Sequence, residues 1–109
     1  MSSNKTVNIL GTAYKIAYKC FSNKDLDGIC NYSAKTIEIR LDNYYQVENF
    51  KAMQDKALRH EIIHAFLCES GLCENSNSCE AWAVNEEMVD WFAVQSPKIF
   101  ETFKELNIA

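Results

Sequence analysis

Apolar and polar residues alternate along the N-terminal part of the chain with the period of two that is typical of β-strands. In the first such run the apolar positions share one parity: Tyr14, Ile16, Tyr18 and Cys20. Val7 and Ile9 have the opposite parity, so the pattern predicts a bulge or a break near Gly11. Residues 22–28 are rich in turn formers, and the alternation resumes over residues 35–41. In that later run the apolar side contains Ile37, Ile39 and Leu41, and the polar side contains Thr36, Glu38 and Arg40.

Towards the C-terminal end, apolar residues recur at intervals of three and four, which is typical of amphipathic helices. A first helix is predicted to begin after Asn49, a good N-cap residue, and to end before Gly71 at the C′ position. A second helix is predicted to begin near Asn77, because Glu80 three residues later resembles the partner in a capping box. Its apolar positions are Trp82, Val89, Phe92 and Ala93.

Ser96 and Pro97 match the N-cap and the first position of a short last helix. Its apolar residues are Ile99, Phe100, Phe103 and Leu106. Because the strands precede the helices along the chain, the sequence predicts an α+β fold in which a twisted antiparallel sheet packs on the helices. No repeat, linker or block of charge divides residues 1–109, so the chain is predicted to form a single domain.

Composition excludes several classes of protein. Hydrophobic residues make up 48% of the chain, with one proline and three glycines, which excludes a disordered or collagen-like protein. The net charge of −4 argues against a basic nucleic-acid-binding surface. No apolar run approaches the roughly 18 residues that a membrane span needs, and no signal-peptide pattern follows Met1. These observations predict a cytoplasmic protein that binds neither nucleic acid nor a membrane.

The five cysteines are spread along the chain: Cys20, Cys30, Cys68, Cys73 and Cys79. No two of them form a C-x-x-C pair, which argues against a zinc ribbon or a thioredoxin-like site. We expect reduced thiols that behave as small apolar residues. The alternative is one disulfide between Cys73 and Cys79.

The segment His60-Glu61-Ile62-Ile63-His64 contains both histidines of the chain. Two histidines four residues apart on a helix lie on one face and can bind the same zinc ion. Glu61 projects beside that face, where a carboxylate can act as general base on a metal-bound water without binding the metal itself. The spacing therefore predicts a catalytic zinc site. The alternative is a pair of histidines that only packs on an amphipathic helix.

A catalytic zinc site needs a third protein ligand and an open position. Cys68 continues the histidine stripe, but it lies about 12 Å along the helix from His60, whereas zinc bonds measure about 2–2.3 Å. The third ligand must therefore come from another element. Glu86 and Asp90, four residues apart in the second helix, share a face, so one of them can bind the metal while the other orients a ligand histidine.

These residues carry a family resemblance. His60-Glu61-x-x-His64, followed 22 residues later by Asn85-Glu86-x-x-x-Asp90, resembles the pattern of the gluzincins, the thermolysin-type zinc peptidases. Within that group, Glu86-x-x-Val89-Asp90-x-Phe92-Ala93 is similar to the small ImmA/IrrE-type metallopeptidase domains of bacteria, prophages and mobile elements. The match covers residues 59–93. It departs from the family in its Val-Asp pair and in the very short chain.

The resemblance implies a minimal zincin-like fold with His60, His64 and Glu86 as zinc ligands and Glu61 as general base. It also implies that Asp90 hydrogen-bonds a ligand histidine, most simply His60. No third histidine is present to stabilise an oxyanion, which leaves a tyrosine for that role. The tyrosines considered are Tyr32, Tyr44 and Tyr45.

Glu87 is the alternative to Glu86 as the third ligand. Glu86 is four residues from both Trp82 and Asp90 and therefore shares their face. Glu87 is rotated by about 100° around the helix and is predicted to be solvated. The helix-face argument therefore favours Glu86.

The resulting prediction is a zinc-dependent peptidase that acts on a protein or peptide, such as a repressor encoded nearby. The strand at residues 35–41 would then be an edge strand that pairs with the extended substrate. The alternative function is a zinc-binding interaction module that cleaves nothing, because the short chain lacks a second lobe to bind substrate. A metal-free regulatory protein is a third alternative, and the sequence does not indicate an oligomeric state.

Overall fold

The computed structural model describes residues 5–72 and 85–109. In this part of the chain, four strands are followed by two helices. The strands are β1 (Lys5–Ile9), β2 (Thr12–Lys19), β3 (Gly28–Asn31) and β4 (Thr36–Arg40), and the helices are α1 (Phe50–Glu69) and α2 (Glu86–Glu105). The predicted α+β class is confirmed.

β1 and β2 form an antiparallel hairpin whose turn consists of Leu10 and Gly11. Both residues have a positive φ, 51° and 92°, as the tightest hairpin turns require. The pairing aligns Val7 with Tyr14, so odd-numbered residues of β1 and even-numbered residues of β2 lie on the same face of the sheet. This register explains the change of parity and confirms the break predicted near Gly11.

The sheet has the strand order β1-β2-β4-β3 and is mixed, so the prediction of a wholly antiparallel sheet is wrong. β3 and β4 form an antiparallel hairpin, but β4 runs parallel to its other neighbour, β2. The reason is that the chain places β3 at the outer edge before it returns to pair with β2. β4 is therefore a central strand, and the prediction that residues 35–41 form an edge is also wrong. β3 is the edge strand on this side, and it packs against α1.

One face of the sheet packs against α1 and forms the core. The buried members of this core are Ile9, Tyr14, Ile16, Ile37, Ile39 and Ala65. The alternation predicted for β4 is thus confirmed for Ile37 and Ile39. Leu41, however, is 49% exposed, because the strand ends at Arg40 and the alternation no longer applies beyond it.

Arg40 is buried, with 1% of its surface exposed, although the sequence pattern places it on the polar side of β4. Its guanidinium donates hydrogen bonds to the carbonyl oxygens of Leu26 (2.8 Å) and Asn23 (2.6 Å) and to the carboxylate of Asp42. The Phe21 ring lies 5.4 Å away. Burial of a charged group is tolerated where such acceptors replace water. Arg40 therefore holds the loop between β2 and β3 against the sheet.

Glu69, the last residue of α1, connects the helix to the sheet. Its carboxylate accepts hydrogen bonds from Lys35 Nζ (2.7 Å), the Tyr14 hydroxyl (2.7 Å) and the Thr12 hydroxyl (3.1 Å). The bond from Lys35, followed by that from Tyr14, holds the pKa of Glu69 below its usual value. Burial, together with the bond to Glu69, raises the pKa of Tyr14, so this hydroxyl stays protonated and remains a donor.

α2 is one continuous helix, and the prediction of a separate last helix after Ser96 is wrong. Pro97 has no amide hydrogen, so the carbonyl of Ala93 one turn earlier cannot receive its usual helical hydrogen bond. Arg59 of α1 donates its Nε–H to this oxygen at 2.6 Å. A contact between the two helices therefore supplies the bond that the proline removes.

α2 begins at Glu86, later than the start predicted near Asn77. Asn85 has an extended backbone, and its side chain accepts a hydrogen bond from the amide of Met88 at 3.0 Å, which makes Asn85 the N-cap. Several residues of the sequence predictions lie outside the described residues: Cys73, Asn77, Cys79, Glu80 and Trp82. Cys20 and Cys68 are free thiols. Neither described helix has the length and apolar character that a membrane span requires.

Candidate metal centre

α1 carries both histidines on the face that meets α2. The side chain of Asn49 accepts a hydrogen bond from the amide of Ala52 at the start of the helix, and Gly71, with a φ of 96°, follows its end. These termini confirm the bounds that the sequence predicts for the helix. His60 and His64 lie one turn apart with ring centroids separated by 4.8 Å. Their side chains are 18% and 6% exposed.

Glu86, the first residue of α2, brings a carboxylate to the two histidines. Its Oε1 atom lies 2.8 Å from Nε2 of His60 and 2.8 Å from Nε2 of His64. The two Nε2 atoms are 3.2 Å apart. The structure therefore brings together the three side chains that the sequence analysis proposes as zinc ligands, one turn of α1 meeting the first turn of α2.

The three donor atoms are close enough to one another for a single metal ion to contact all of them. Two ligands about 2.0–2.1 Å from a tetrahedral zinc ion lie about 3.3 Å from each other, and the observed separations are 2.8, 2.8 and 3.2 Å. Two imidazole nitrogens and one carboxylate are also a donor set of catalytic zinc sites. Within residues 5–72 and 85–109 this is the one such group of potential ligands, and Cys68 is not part of it.

The histidines also set the charge state of Glu86. Burial acts to raise the pKa of Glu86, but the hydrogen bonds to His64 and His60 outweigh it, so the pKa lies below its usual value. The carboxylate is therefore ionised, as a metal ligand must be. Both glutamates are exposed, but Glu87, the alternative ligand, does not belong to the group.

Glu61 lies buried beside the histidines, with 9% of its surface exposed. Among the described residues no hydrogen-bond donor contacts its carboxylate, although the side chain lines two clefts at the metal centre. Burial raises the pKa of Glu61, an effect that the neighbouring His60 and His64 partly offset. A carboxyl group with a raised pKa is suited to exchange a proton with a molecule in these clefts.

Gly28 allows the buried Glu61 to fit between α1 and β3. A Cβ atom at this position would lie 3.0 Å from Cγ of Glu61 and 3.1 Å from Cδ1 of Ile39, closer than ordinary van der Waals contact. Neither this role of Gly28 nor the strand that begins there is predicted from the sequence. The strand has only four residues, and the Asp27-Gly28 pair equally indicates a turn.

Asp90 lies on the other side of His60. Its Oδ1 atom is 3.5 Å from Nδ1 of His60 and 3.5 Å from Nζ of Lys56. These are electrostatic contacts, longer than the 2.7–3.2 Å of a typical hydrogen bond. Glu86 contacts Nε2 of His60, and Asp90 faces the other ring nitrogen, Nδ1. A carboxylate that orients a ligand histidine has to lie at this second nitrogen.

The three candidate tyrosines for the oxyanion role lie in different places. Tyr32 lines the same cleft as His64. Tyr44 and Tyr45 pack edge to face on each other, and the Tyr45 hydroxyl donates a hydrogen bond to the carbonyl of Lys24. Neither of them lines the two clefts formed by the described residues. Proximity to the metal centre therefore favours Tyr32.

Comparisons with protein-family models, with curated proteins and with solved structures found no match for this chain. The resemblance to the gluzincins and to the ImmA/IrrE-type domains therefore depends on the motif residues alone. The convergence of the His60, His64 and Glu86 donor atoms is a separate, geometric observation, because sequence spacing does not determine how α2 packs on α1.

Proposed function

We propose that this chain is a zinc-dependent peptidase of the gluzincin type, built on a minimal zincin-like fold. The observation that carries the proposal is the position of Glu61, a largely buried side chain beside the His-His-Glu group that lines both clefts at this group. A carboxylate that faces these clefts can exchange a proton with a molecule bound there, and a purely structural metal site has no use for it. A general base for hydrolysis needs this position.

The described residues divide the work of hydrolysis between them. Zinc held by His60, His64 and Glu86 would polarise a peptide carbonyl and lower the pKa of water. Glu61 accepts a proton from the attacking water and returns it to the leaving amine, and its raised pKa suits both transfers. Asp90, 3.5 Å from Nδ1 of His60, would orient the ring so that Nε2 is available to the metal.

The proposed substrate is a protein or peptide, and the resemblance to ImmA/IrrE-type domains suggests a cytoplasmic regulatory protein such as a repressor. The geometry is compatible with an extended chain. Two clefts of about 230 Å³ and 370 Å³ share Glu61 and Glu86, so a polypeptide can pass from one cleft to the other across the metal centre. Tyr32, in the larger cleft, is the residue proposed to stabilise the oxyanion.

Metal analysis of the purified protein tests the site. We expect about one zinc ion per chain, since three side chains and one open position form one complete site. His64→Ala should lose the metal because it removes a ligand. Cys68→Ser, on the same helix one turn further, is the matched control and should keep it. Full zinc content in His64→Ala would contradict the assignment.

Cleavage assays separate catalysis from binding. Glu61→Gln should retain zinc but lose about 10²–10⁴-fold in turnover, the usual contribution of a general base. Wild type and variant, at equal zinc content, are incubated with candidate repressors and with a proteome-derived peptide mixture, and new chain ends are identified by mass spectrometry. Equal cleavage by both proteins would rule out Glu61 as the base. Partner binding without cleavage by the wild type would favour the interaction module.

A further inference from the structure

Two clefts of different chemistry open beside the candidate metal centre, and they share Leu26, Gly28, Glu61 and Glu86. The smaller one, of about 230 Å³, is here named the acidic cleft after its carboxylates and is also lined by Asp25, Asp27, Met53, Lys56, Ala57, His60 and Asp90. The larger one, of about 370 Å³, is here named the apolar cleft and is also lined by Ile29, Cys30, Tyr32 and His64. The metal centre lies where the two clefts meet.

Negative charge in the acidic cleft exceeds the positive charge that the chain supplies. Five carboxylates and one lysine line it. Lys56 is already paired with Asp90 at 3.5 Å, and Asp27 lies 4.0 Å from Arg40, whose guanidinium has a closer carboxylate partner. No described residue forms a hydrogen bond or ion pair with the carboxylate of Asp25. A divalent ion at the metal centre would still leave about two uncompensated negative charges in the cleft.

The loop that carries two of these carboxylates is held in place by the buried Arg40 and by a hydrogen bond within the loop. Arg40 donates hydrogen bonds to the carbonyl oxygens of Leu26 and Asn23. The Asn23 side chain in turn accepts a hydrogen bond from the amide of Asp25 at 2.9 Å. The backbone that presents Asp25 and Asp27 to the cleft is therefore preorganised, which lowers the entropy that a charged ligand must overcome on binding.

Glu61 lies where the two clefts meet; the residue is 9% exposed, and no hydrogen-bond donor among the described residues contacts its carboxylate, which leaves the carboxylate available to a ligand. We infer that the acidic cleft is a subsite for a cationic side chain. The substrate then carries lysine or arginine on one side of the scissile bond and an apolar residue on the other. This inference rests on the proposed peptidase function and adds the class of substrate.

Binding of small hydroxamic acids to the zinc-loaded protein tests the inference without relying on turnover. The hydroxamate binds the metal, and a single amino acid attached to it occupies a cleft. Three ligands are compared, in which this amino acid is lysine, norleucine or glutamate. Two series, with the residue on either side of the hydroxamate, cover both directions along the substrate. In one series we expect lysine to bind at least about fivefold more tightly than norleucine, and glutamate to bind more weakly than both. In the other series norleucine should bind most tightly. Isothermal titration calorimetry gives each Kd.

The carboxylates of the loop are the decisive variable. Asp25→Asn combined with Asp27→Asn should remove most of the preference for lysine and leave the norleucine affinity unchanged. The matched control is Glu101→Gln combined with Glu105→Gln, which changes the net charge equally on the distant half of α2 and should keep the preference. Raising the salt concentration should weaken the preference in the wild type, since these carboxylates are exposed to solvent.

The outcomes distinguish this inference from the proposed function. If norleucine binds as tightly as lysine in both series, or if the lysine preference survives the loop substitutions, the inference is overturned, while Glu61-dependent cleavage would leave the peptidase intact. If the lysine preference follows the loop carboxylates but no peptide is cleaved, the cleft is supported and the peptidase fails. If no hydroxamate binds the zinc-loaded protein, both are overturned.

Discussion

The contact between Arg59 and Ala93 leads to a prediction about the stability of the helix pair. Pro97 leaves the Ala93 carbonyl without its helical donor, and Nε of Arg59 lies 2.6 Å from this oxygen. Ala93 is fully buried, so water cannot easily replace the donor. Arg59→Met removes the donor and keeps much of the aliphatic packing, and Pro97→Ala restores an amide that can bond to the same carbonyl.

The expected magnitudes differ between the two backgrounds. A hydrogen bond from a charged donor is worth about 1.5–3 kcal/mol, and a buried carbonyl without a partner costs about 1–3 kcal/mol. We therefore expect Arg59→Met to lower the free energy of unfolding by about 2 kcal/mol when Pro97 is present. With Pro97→Ala the loss should be at most about 1 kcal/mol. Pro97→Ala alone should stabilise the protein, because proline is about 3 kcal/mol less favourable than alanine inside a helix.

Urea unfolding of the four proteins, followed by circular dichroism, measures the coupling. A chelator keeps all samples free of metal, because bound zinc would add its own stabilisation to the folded state. Lys56→Met is the matched control, since it removes a cation on α1 that contacts Asp90 rather than Ala93. Its effect should be the same in both backgrounds. The reasoning is refuted if Arg59→Met has the same effect with and without Pro97, within the roughly 0.5 kcal/mol expected for independent sites.

Three further predictions concern the metal centre and its support. Glu86→Ala should lower the zinc affinity by more than the roughly 10–100-fold that is typical of groups that only orient ligands. Glu87→Ala should leave the zinc affinity unchanged. A chelator competition measures both, and the reverse order would contradict the assignment of Glu86 as the ligand. Gly28→Ala should reduce turnover because the new Cβ displaces Glu61, with a loss of stability of at most about 3 kcal/mol in urea unfolding, and unchanged turnover would contradict this role. The pKa of the Glu69 carboxyl is lower in the folded state than in the unfolded chain, so its ionisation stabilises the folded state. This stabilisation is fully present at pH values above the usual pKa of 4.5. It is lost as the pH falls through the lower pKa of the folded state. Glu69→Gln should therefore flatten the loss of stability below about pH 4.5 in unfolding curves, and parallel wild-type and variant profiles would show that this carboxylate does not contribute.

The sequence by itself determined which residues form most of the local elements. Alternation of apolar residues locates β2 and β4, and the change of parity between Ile9 and Tyr14 locates the hairpin turn. Asn49 and Gly71 mark the two ends of α1 correctly. These features depend on interactions within a few residues, namely the direction of successive side chains, capping hydrogen bonds and positive φ angles, so they can be read without knowledge of the fold.

The pairing of strands and the continuity of α2 were decided by tertiary structure. Nothing in the alternation of β4 indicates that it lies between β2 and β3, because period-two patterns specify the face of a residue but not the neighbouring strand. Pro97 is locally a helix-start signal, and it is accommodated inside α2 where Arg59 supplies the missing bond. The same holds for Arg40, whose burial depends on carbonyl oxygens of a loop distant in the sequence.

For the candidate metal centre too, some features follow from the sequence and others only from the tertiary structure. The spacing of His60 and His64 places both imidazoles on one face of a helix, and this much follows from helical geometry. The sequence could also nominate Glu86, but only the packing of α2 on α1 brings its Oε1 atom to 2.8 Å from both histidines. The burial of Glu61 likewise depends on the approach of β3 at Gly28. Helical periodicity determines which side chains share a face, whereas long-range packing determines what that face meets and how far it is removed from water.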